Sequence, residues 1–400
     1  MYRKIGQNYF NNRSRQTWSR GRPARSRGER IDPSKFINKA IVNEGAQEVE
    51  NFKSEHKFQD FKIDQRLLSS ISAKGYKAPT PIQDQIINHV IEGSDVVGIA
   101  NTGTGKTAAF LIPLINKILL NFREKVLIIT PTRELAMQID QEFKGFSRGG
   151  GIRMFSVCCV GGAGIGRQIS ELRWNHNLVI GTPGRLKDLI ERRMINLQTF
   201  NTVVLDEADR MLDMGFIHDT RFIMQGMPKD RQVLFFSATL PREVETIISE
   251  FLRNPVRISV KTRDTSKNVE QDIIRIEGNK TKLDVLQGLL SKEEFNKVLI
   301  FGRTKHGVER LSKTLIHKGF RAESIHGNKN LSQRQRALSA FKENRVQILV
   351  ATDVAARGLD IADVSHVINY DVPATYDEYI HRIGRTGRWN KRGMALTFIE

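Results

Sequence analysis

Only two cysteines occur in 400 residues, and they stand side by side, Cys158 and Cys159, inside an apolar run. Adjacent thiols cannot staple a fold, and two cannot complete a four-ligand zinc site, so a disulfide framework and a structural zinc are both excluded. Long hydrophobic runs are missing too: no stretch approaches 18 consecutive apolar residues, and the first residues lack the apolar core of a secretory signal. The expectation is a cytoplasmic chain that neither spans a membrane nor is exported. Acid is the third scarcity, with 44 Asp and Glu against 63 Lys and Arg and a net charge of +19. That imbalance suits a polyanionic partner, most commonly nucleic acid, because each phosphate contact releases counterions.

The excess is concentrated at the start, where the first 30 residues hold nine Arg or Lys and one acid, Glu29. Residues 1–55 are rich in Arg, Asn, Ser and Gly and poor in large aliphatics, so they cannot offset the entropy of folding and are expected to form a disordered basic N-terminal extension. Tyr2, Tyr9, Phe10 and Trp18 lie among the arginines, a mixture able to stack on bases while pairing with phosphates. A plain solubilising leader fits equally well. An organelle transit peptide fits less well, since Gly21, Pro23 and Gly28 interrupt any amphipathic helix.

From Phe58 onward, short β-branched runs alternate with helical spacing, the pattern of an α/β fold with parallel sheets. A length prior of roughly one domain per 150 residues makes two domains the starting expectation. The first series predicts strands at 95–100, 125–130, 154–160, 177–181, 202–205 and 232–236, with helices at 107–120 and 134–146. Residues 261–271 are polar and lack an apolar period, so they are expected to link the domains. A second series predicts strands at 297–301, 321–324, 346–350, 366–370 and 394–399, with helices at 307–318 and 332–343. The resulting domains are 56–260 and 272–400. The sequence stops directly after the last of these strands, which leaves room for a further C-terminal helix or tail.

The segment Ala100-Asn101-Thr102-Gly103-Thr104-Gly105-Lys106-Thr107 follows an apolar strand and opens a helix, the context of a phosphate-binding loop. Its glycines let backbone N–H groups wrap phosphates, Lys106 reaches the β and γ oxygens, and Thr107 offers a hydroxyl to Mg²⁺. Ala100 stands where the general pattern has its first Gly. A hundred residues on, Val203-Val204-Leu205-Asp206-Glu207-Ala208-Asp209 ends a buried strand in carboxylates. In a phosphoryl-transfer site one such acid, here Asp206, holds the metal, and the next, Glu207, orients the attacking water.

These two segments resemble the first nucleotide motifs of the DEAD-box helicases, and further matches span roughly residues 58–400. Gly75-Tyr76-Lys77-Ala78-Pro79-Thr80-Pro81-Ile82-Gln83 resembles the family's Q motif, which implies that Gln83 bonds adenine, that Phe58 stacks on it, and that ATP is the nucleotide. Thr102, Gly103, Thr104 and Gly105 would line the phosphates. The resemblance of Pro131-Thr132-Arg133-Glu134-Leu135-Ala136, Gly161-Gly162 and Thr182-Pro183-Gly184-Arg185 to first-domain RNA motifs implies contacts from Pro131, Thr132, Arg133, Gly161, Gly162, Thr182, Pro183, Gly184 and Arg185. Ser237-Ala238-Thr239 is similar to the motif that couples hydrolysis to strand opening.

In the second domain, Phe301-Gly302-Arg303-Thr304 and His326-Gly327-Asn328 resemble RNA-side motifs, with Arg303 the implied contact. Asn328 replaces a more usual acid, and Leu331 stands where Gln is typical, although Arg334 is retained. Ala351-Thr352-Asp353-Val354-Ala355-Ala356-Arg357-Gly358-Leu359-Asp360 and His381-Arg382-Ile383-Gly384-Arg385-Thr386-Gly387-Arg388 match throughout. They imply that Thr352 touches RNA, Asp360 the ribose, His381 couples, and Arg385 and Arg388 act as arginine fingers. The resemblance as a whole implies two tandem RecA-like domains, ATP and Mg²⁺ as cofactors, RNA held largely through its backbone, and a monomer acting with ribosomal or RNA-decay proteins. The compact core, the His-Gly-Asn variant and the basic extension look most like bacterial members of RhlE type. Two rival readings remain: an RNA chaperone or annealing protein working through its tail, and a DNA helicase.

Overall fold

The computed structural model describes residues 54–101, 103–147, 153–260, 269–356, 361, 363–387 and 393–399. Residues 1–53 of the tail expected over 1–55 and most of the expected linker lie outside them. Thirteen strands are formed among the described residues: β1 (Val96–Ala100), β2 (Val126–Ile129), β3 (Ser156–Cys159), β4 (Leu178–Gly181), β5 (Thr202–Leu205), β6 (Gln232–Ser237), β7 (Val256–Val260), β8 (Val269–Arg275), β9 (Val298–Phe301), β10 (Ala322–Ile325), β11 (Ile348–Ala351), β12 (His366–Asn369) and β13 (Gly393–Ile399).

They form two all-parallel sheets. The first runs β3-β4-β2-β5-β6-β1-β7, the second β10-β11-β9-β12-β13-β8. Parallel pairing needs a crossover between successive strands, and helices supply it on both faces, so the central strands read as continuous apolar runs with no polar face. Every residue of β2, β4, β5 and β6 is buried, as is every residue of β9, β11 and β12.

Two strands escape the sequence reading. β7 and β8 are edge strands with mixed exposure and interspersed charge, so they carry no apolar signal. Val269–Arg275 extends the second sheet by pairing with β13, which shortens the expected 261–271 linker: residues 269–271 belong to the second sheet.

Parallel strands place all their C-terminal ends on one edge, and sheet order sorts them. β3, β4 and β2 end on Gly161, Thr182 and Pro131-Thr132, whereas β5, β6 and β1 end on Asp206, Ser237 and the glycine loop. One half of the edge therefore carries the expected RNA motifs and the adjacent half the nucleotide motifs. Ligand sites at carboxyl ends of strands follow from this architecture.

The segment before the first sheet is pinned to the helix Lys106–Leu120 by one buried amide. Asn116, fully buried, accepts from Asp64 N at 2.9 Å and donates to Lys62 O at 2.9 Å. This holds Phe58 and Phe61 against the core, with the Phe58 ring edge-on to Tyr76 at 6.2 Å. Asn116→Leu, of similar volume, leaves both backbone groups without their partner. It is expected to lower unfolding stability by about 2–4 kcal/mol in urea titration, and a wild-type midpoint would contradict this anchoring role.

Candidate functional site

Residues 103–105 turn into the helix Lys106–Leu120 through Gly105, whose φ of 93° is left-handed. A side chain there is doubly disfavoured, because a Cβ would also sit 2.5 Å from Gln83 Nε2. The N-cap residue, Gly105, has no side chain to cap this helix, which leaves first-turn N–H groups that can meet an anion. Lys106 is 7% exposed, and its Nζ has no hydrogen-bond partner among the described residues. A buried ammonium without a partner is costly unless a ligand completes it. A polyphosphate fits that requirement.

Burial pushes the Asp206 carboxyl up to about 6; Glu207 adds to the rise, while the Lys106 ammonium opposes it. Among the described residues no three His, Cys, Asp or Glu converge as a protein-only metal cage. A cation here would rest on Asp206, the Thr107 hydroxyl, water and phosphate oxygens, a donor set that suits Mg²⁺. Glu207 adopts left-handed backbone at φ 53°, and its Oε2 accepts from Arg210 Nη1 at 2.7 Å within a buried pair. Strain of this kind at a strand end concentrates at working sites.

Asp209 had no role in the sequence reading. Its Oδ2 accepts from Thr239 N at 2.9 Å, Thr239 Oγ1 at 3.0 Å and Ala238 N at 3.2 Å. The acidic motif is thus bonded directly to Ser237-Ala238-Thr239, so a shift at one must be felt at the other. Asp209 lies in the first turn of the helix Ala208–Asp213, and its spacing from Asp206 gives no signal of this contact.

Gln83 is fully buried beneath the loop, where its Nε2 donates to Gly105 O at 3.1 Å and its Oε1 accepts from Thr80 N at 3.0 Å. Its amide is thereby bonded directly to the phosphate loop. Phe58 is 3% exposed within the core. Thr102, Asp360 and Arg388 fall outside the described residues.

Seven of the expected RNA contacts, Pro131, Thr132, Arg133, Gly161, Thr182, Gly184 and Arg185, line one cavity of about 410 Å³ together with Arg334 and Val354 of the second lobe. Gly162 and Pro183 adjoin it in sequence. Gly162, at φ 78°, lies under the Arg133 guanidinium, where any Cβ would collide. The Arg185 guanidinium is aimed by Gln168 Oε1 at 3.0 Å and Ala163 O at 3.3 Å.

The lobes meet beside this cavity. Arg334 Nε lies 2.9 Å from Glu134 Oε1, an ion pair at an angle outside hydrogen-bond geometry, with both side chains largely buried. Leu331, where the family typically carries Gln, is 8% exposed and belongs to the apolar cluster of the first lobe. The departure thus sets an apolar side chain against the first lobe.

In the second lobe, Arg382 is the organising residue that the sequence reading left unassigned. Its guanidinium donates to Asp353 Oδ1 and Oδ2 at 2.6 and 2.7 Å, to Asp371 O at 2.6 Å and to Asn369 Oδ1 at 3.2 Å. Asp353, His381, Arg382 and Arg385 share one small pocket. Asp371 Oδ2 in turn accepts from Arg303 N at 2.7 Å, and Thr352 N bonds Ile325 O. Asn328 Oδ1 accepts from Lys305 Nζ at 2.9 Å.

His326 is held by Glu309, whose Oε2 accepts from Ser324 Oγ at 2.6 Å and lies 3.1 Å from His326 Nε2. The bond from Ser324, then that from His326, holds the Glu309 carboxyl down at about 2. Because the folded state depresses this pKa, its contribution is fully present above the ordinary value near 4.5 and is lost as pH falls toward 2. Glu309→Gln is expected to lower the urea midpoint at neutral pH, with the gap to wild type closing through that acid window. A gap that stays constant would contradict the assignment.

This is a two-lobed, phosphate-loop nucleotide enzyme with a cavity lined by the expected RNA contacts beside the phosphate-loop edge. A DEAD/DEAH box helicase model matches residues 80–247, and a helicase conserved C-terminal domain model matches residues 281–390. The DEAD-box ATP-dependent RNA helicase CshA of Bacillus licheniformis is 46% identical over 344 residues, covering 86% of this chain and 70% of that protein. CshA of Bacillus subtilis is 45% identical, covering 86% and 69%. The chain thus spans roughly two thirds of the length of these curated relatives. Among solved structures, S. cerevisiae Dbp5 bound to RNA and ADP BeF3 is 29% identical with a TM-score of 0.73, covering 86% of this chain and 89% of that one. The chain belongs to the DEAD-box family of ATP-dependent RNA helicases, with two RecA-like lobes. The bacterial relatives carry the CshA name, so the expected RhlE type gains no support from them.

Proposed function

We propose that this helicase opens short RNA duplexes locally, or remodels RNA–protein complexes, in a CshA-like cytoplasmic role, as a monomer that uses ATP with Mg²⁺. The observation that carries the reading is the buried Lys106 ammonium, which has no hydrogen-bond partner among the described residues and stands beside the Asp206 carboxyl at the strand edge that also bears the cavity of expected RNA contacts.

Bound Mg²⁺ supplies charge neutralisation for the transferring phosphoryl group. Lys106 binds the β and γ oxygens, Thr107 and Asp206 face the cation, and Glu207 takes the proton of the attacking water. Arg385 and Arg388 complete the charge balance from the second lobe, an effect worth about 10³–10⁵ in rate in related phosphoryl-transfer enzymes. The contact of Asp209 with Thr239 relays the state of the phosphate site to the RNA side.

Backbone contacts across the cavity favour a single strand with little sequence preference, and 2′-hydroxyl contacts favour RNA over DNA. ATP and RNA each favour the joined lobes, so each strengthens the other's binding. Glu207→Gln is expected to keep binding of ATP and RNA while lowering RNA-stimulated turnover by about 10²-fold or more. Undiminished hydrolysis, read by phosphate release, would refute the role given to Glu207.

A further inference from the structure

The strands β3, β4 and β2 run from one edge of the first lobe to the other, and their opposite ends differ in character. Immediately before the in-register residues Ser156, Leu178 and Val126 stand Phe155, Asn177 and Lys125. Buried Asn177 ties these segments together: its N donates to Phe155 O at 2.9 Å and its Nδ2 to Phe122 O at 3.1 Å. Trp174 is three residues upstream, its carbonyl 2.9 Å from His176 Nδ1. Neighbouring strands lie about 4.8 Å apart, so Phe155 and the 122–125 turn are separated by only about 10 Å.

Trp174, Leu120, Phe155 and Phe122 are 75%, 72%, 59% and 51% exposed, four of the seven exposed large hydrophobic side chains among the described residues. Arg123, Arg153 and Arg173 are exposed beside them. The two acids of these segments are occupied: Glu124 is buried against Thr202 Oγ1 at 2.8 Å, and Glu171 accepts from Arg167 at 2.8 Å. Flat π faces set among arginines without competing carboxylates suit a polyanion that carries bases. A second copy of a chain of net charge +19 would bring like charge to the same surface.

We propose that this edge is a second binding platform for single-stranded RNA, with Trp174, Phe155 and Phe122 stacking on bases and Arg123, Arg153 and Arg173 pairing with phosphates. It lies at the opposite end of β2, β3 and β4 from the RNA cavity, about 13 Å of strand away. It would hold the RNA flanking the segment in the groove. The proposal takes from the helicase reading only the identity of the polymer.

The test uses the full chain, Trp174→Ala/Phe155→Ala and, separately, Arg123→Glu/Arg173→Glu, with labelled oligouridylates of about 6 and about 30 nucleotides. Anisotropy should show affinity for the long RNA falling roughly tenfold per ring removed. In the arginine variant, the slope of log affinity against log salt should shrink by about 0.7 per arginine. ATPase stimulated by the short RNA should match wild type, which separates this surface from the groove. Unchanged long-RNA affinity and salt slope would overturn the proposal, including the case where sedimentation shows that the variants dissociate a protein assembly. Failure of wild type to show RNA-stimulated ATPase at either length would instead sink the helicase reading, while the titration of Trp174 variants would still decide this platform.

Discussion

The structure is organised around a buried ammonium, that of Lys106, set next to a buried carboxylate, that of Asp206, at the end of a parallel sheet. Neither group is comfortable there. Burial raises the Asp206 pKa although a cation stands beside it, and Lys106 Nζ has no hydrogen bond among the described residues. Their placement is costly in the protein alone and favourable with a metal-bound polyphosphate, so binding energy is built into the fold through desolvated charge.

Sheet order carries that local constraint outward. With β5, β6 and β1 adjacent, the acids, the Ser237-Ala238-Thr239 segment and the glycine loop must share half an edge. With β3, β4 and β2 adjacent, the residues expected to contact RNA must share the other half. Asp209 bridges within the first half through three bonds to Ala238 and Thr239. The two halves can influence each other without a long relay, since β2 and β5 are hydrogen-bonded neighbours. The second lobe presents Arg385 on a segment fixed by Arg382, and it reaches the first through Leu331 and the Arg334–Glu134 pair.

Much of this was legible in the sequence because buried parallel strands are continuous apolar runs and phosphate loops need glycine at fixed offsets. The strands β1, β2, β4 to β6, β9 and β11 to β13 follow that logic, and the outer strands β3 and β10 do so only in part. β7 and β8 do not: as edges, half of each strand faces solvent, and their charged residues resemble linker. Roles that depend on what a side chain meets across the fold were equally silent. Nothing in the spacing of Asp209, Arg382 or Asn116 announces the backbone groups they satisfy. The edge around Trp174 was invisible for the same reason, since its three segments are separate in sequence and converge through strand pairing and the bonds of Asn177.

The central claim, that Lys106 is kept buried for a polyphosphate, is tested most directly by differential scanning fluorimetry of Lys106→Met with and without ATP and Mg²⁺. The account predicts that ATP with Mg²⁺ no longer raises the melting temperature of the variant, whatever its melting point alone once Asp206 has lost the cation beside it. A variant that retains the full wild-type rise with ATP would contradict it.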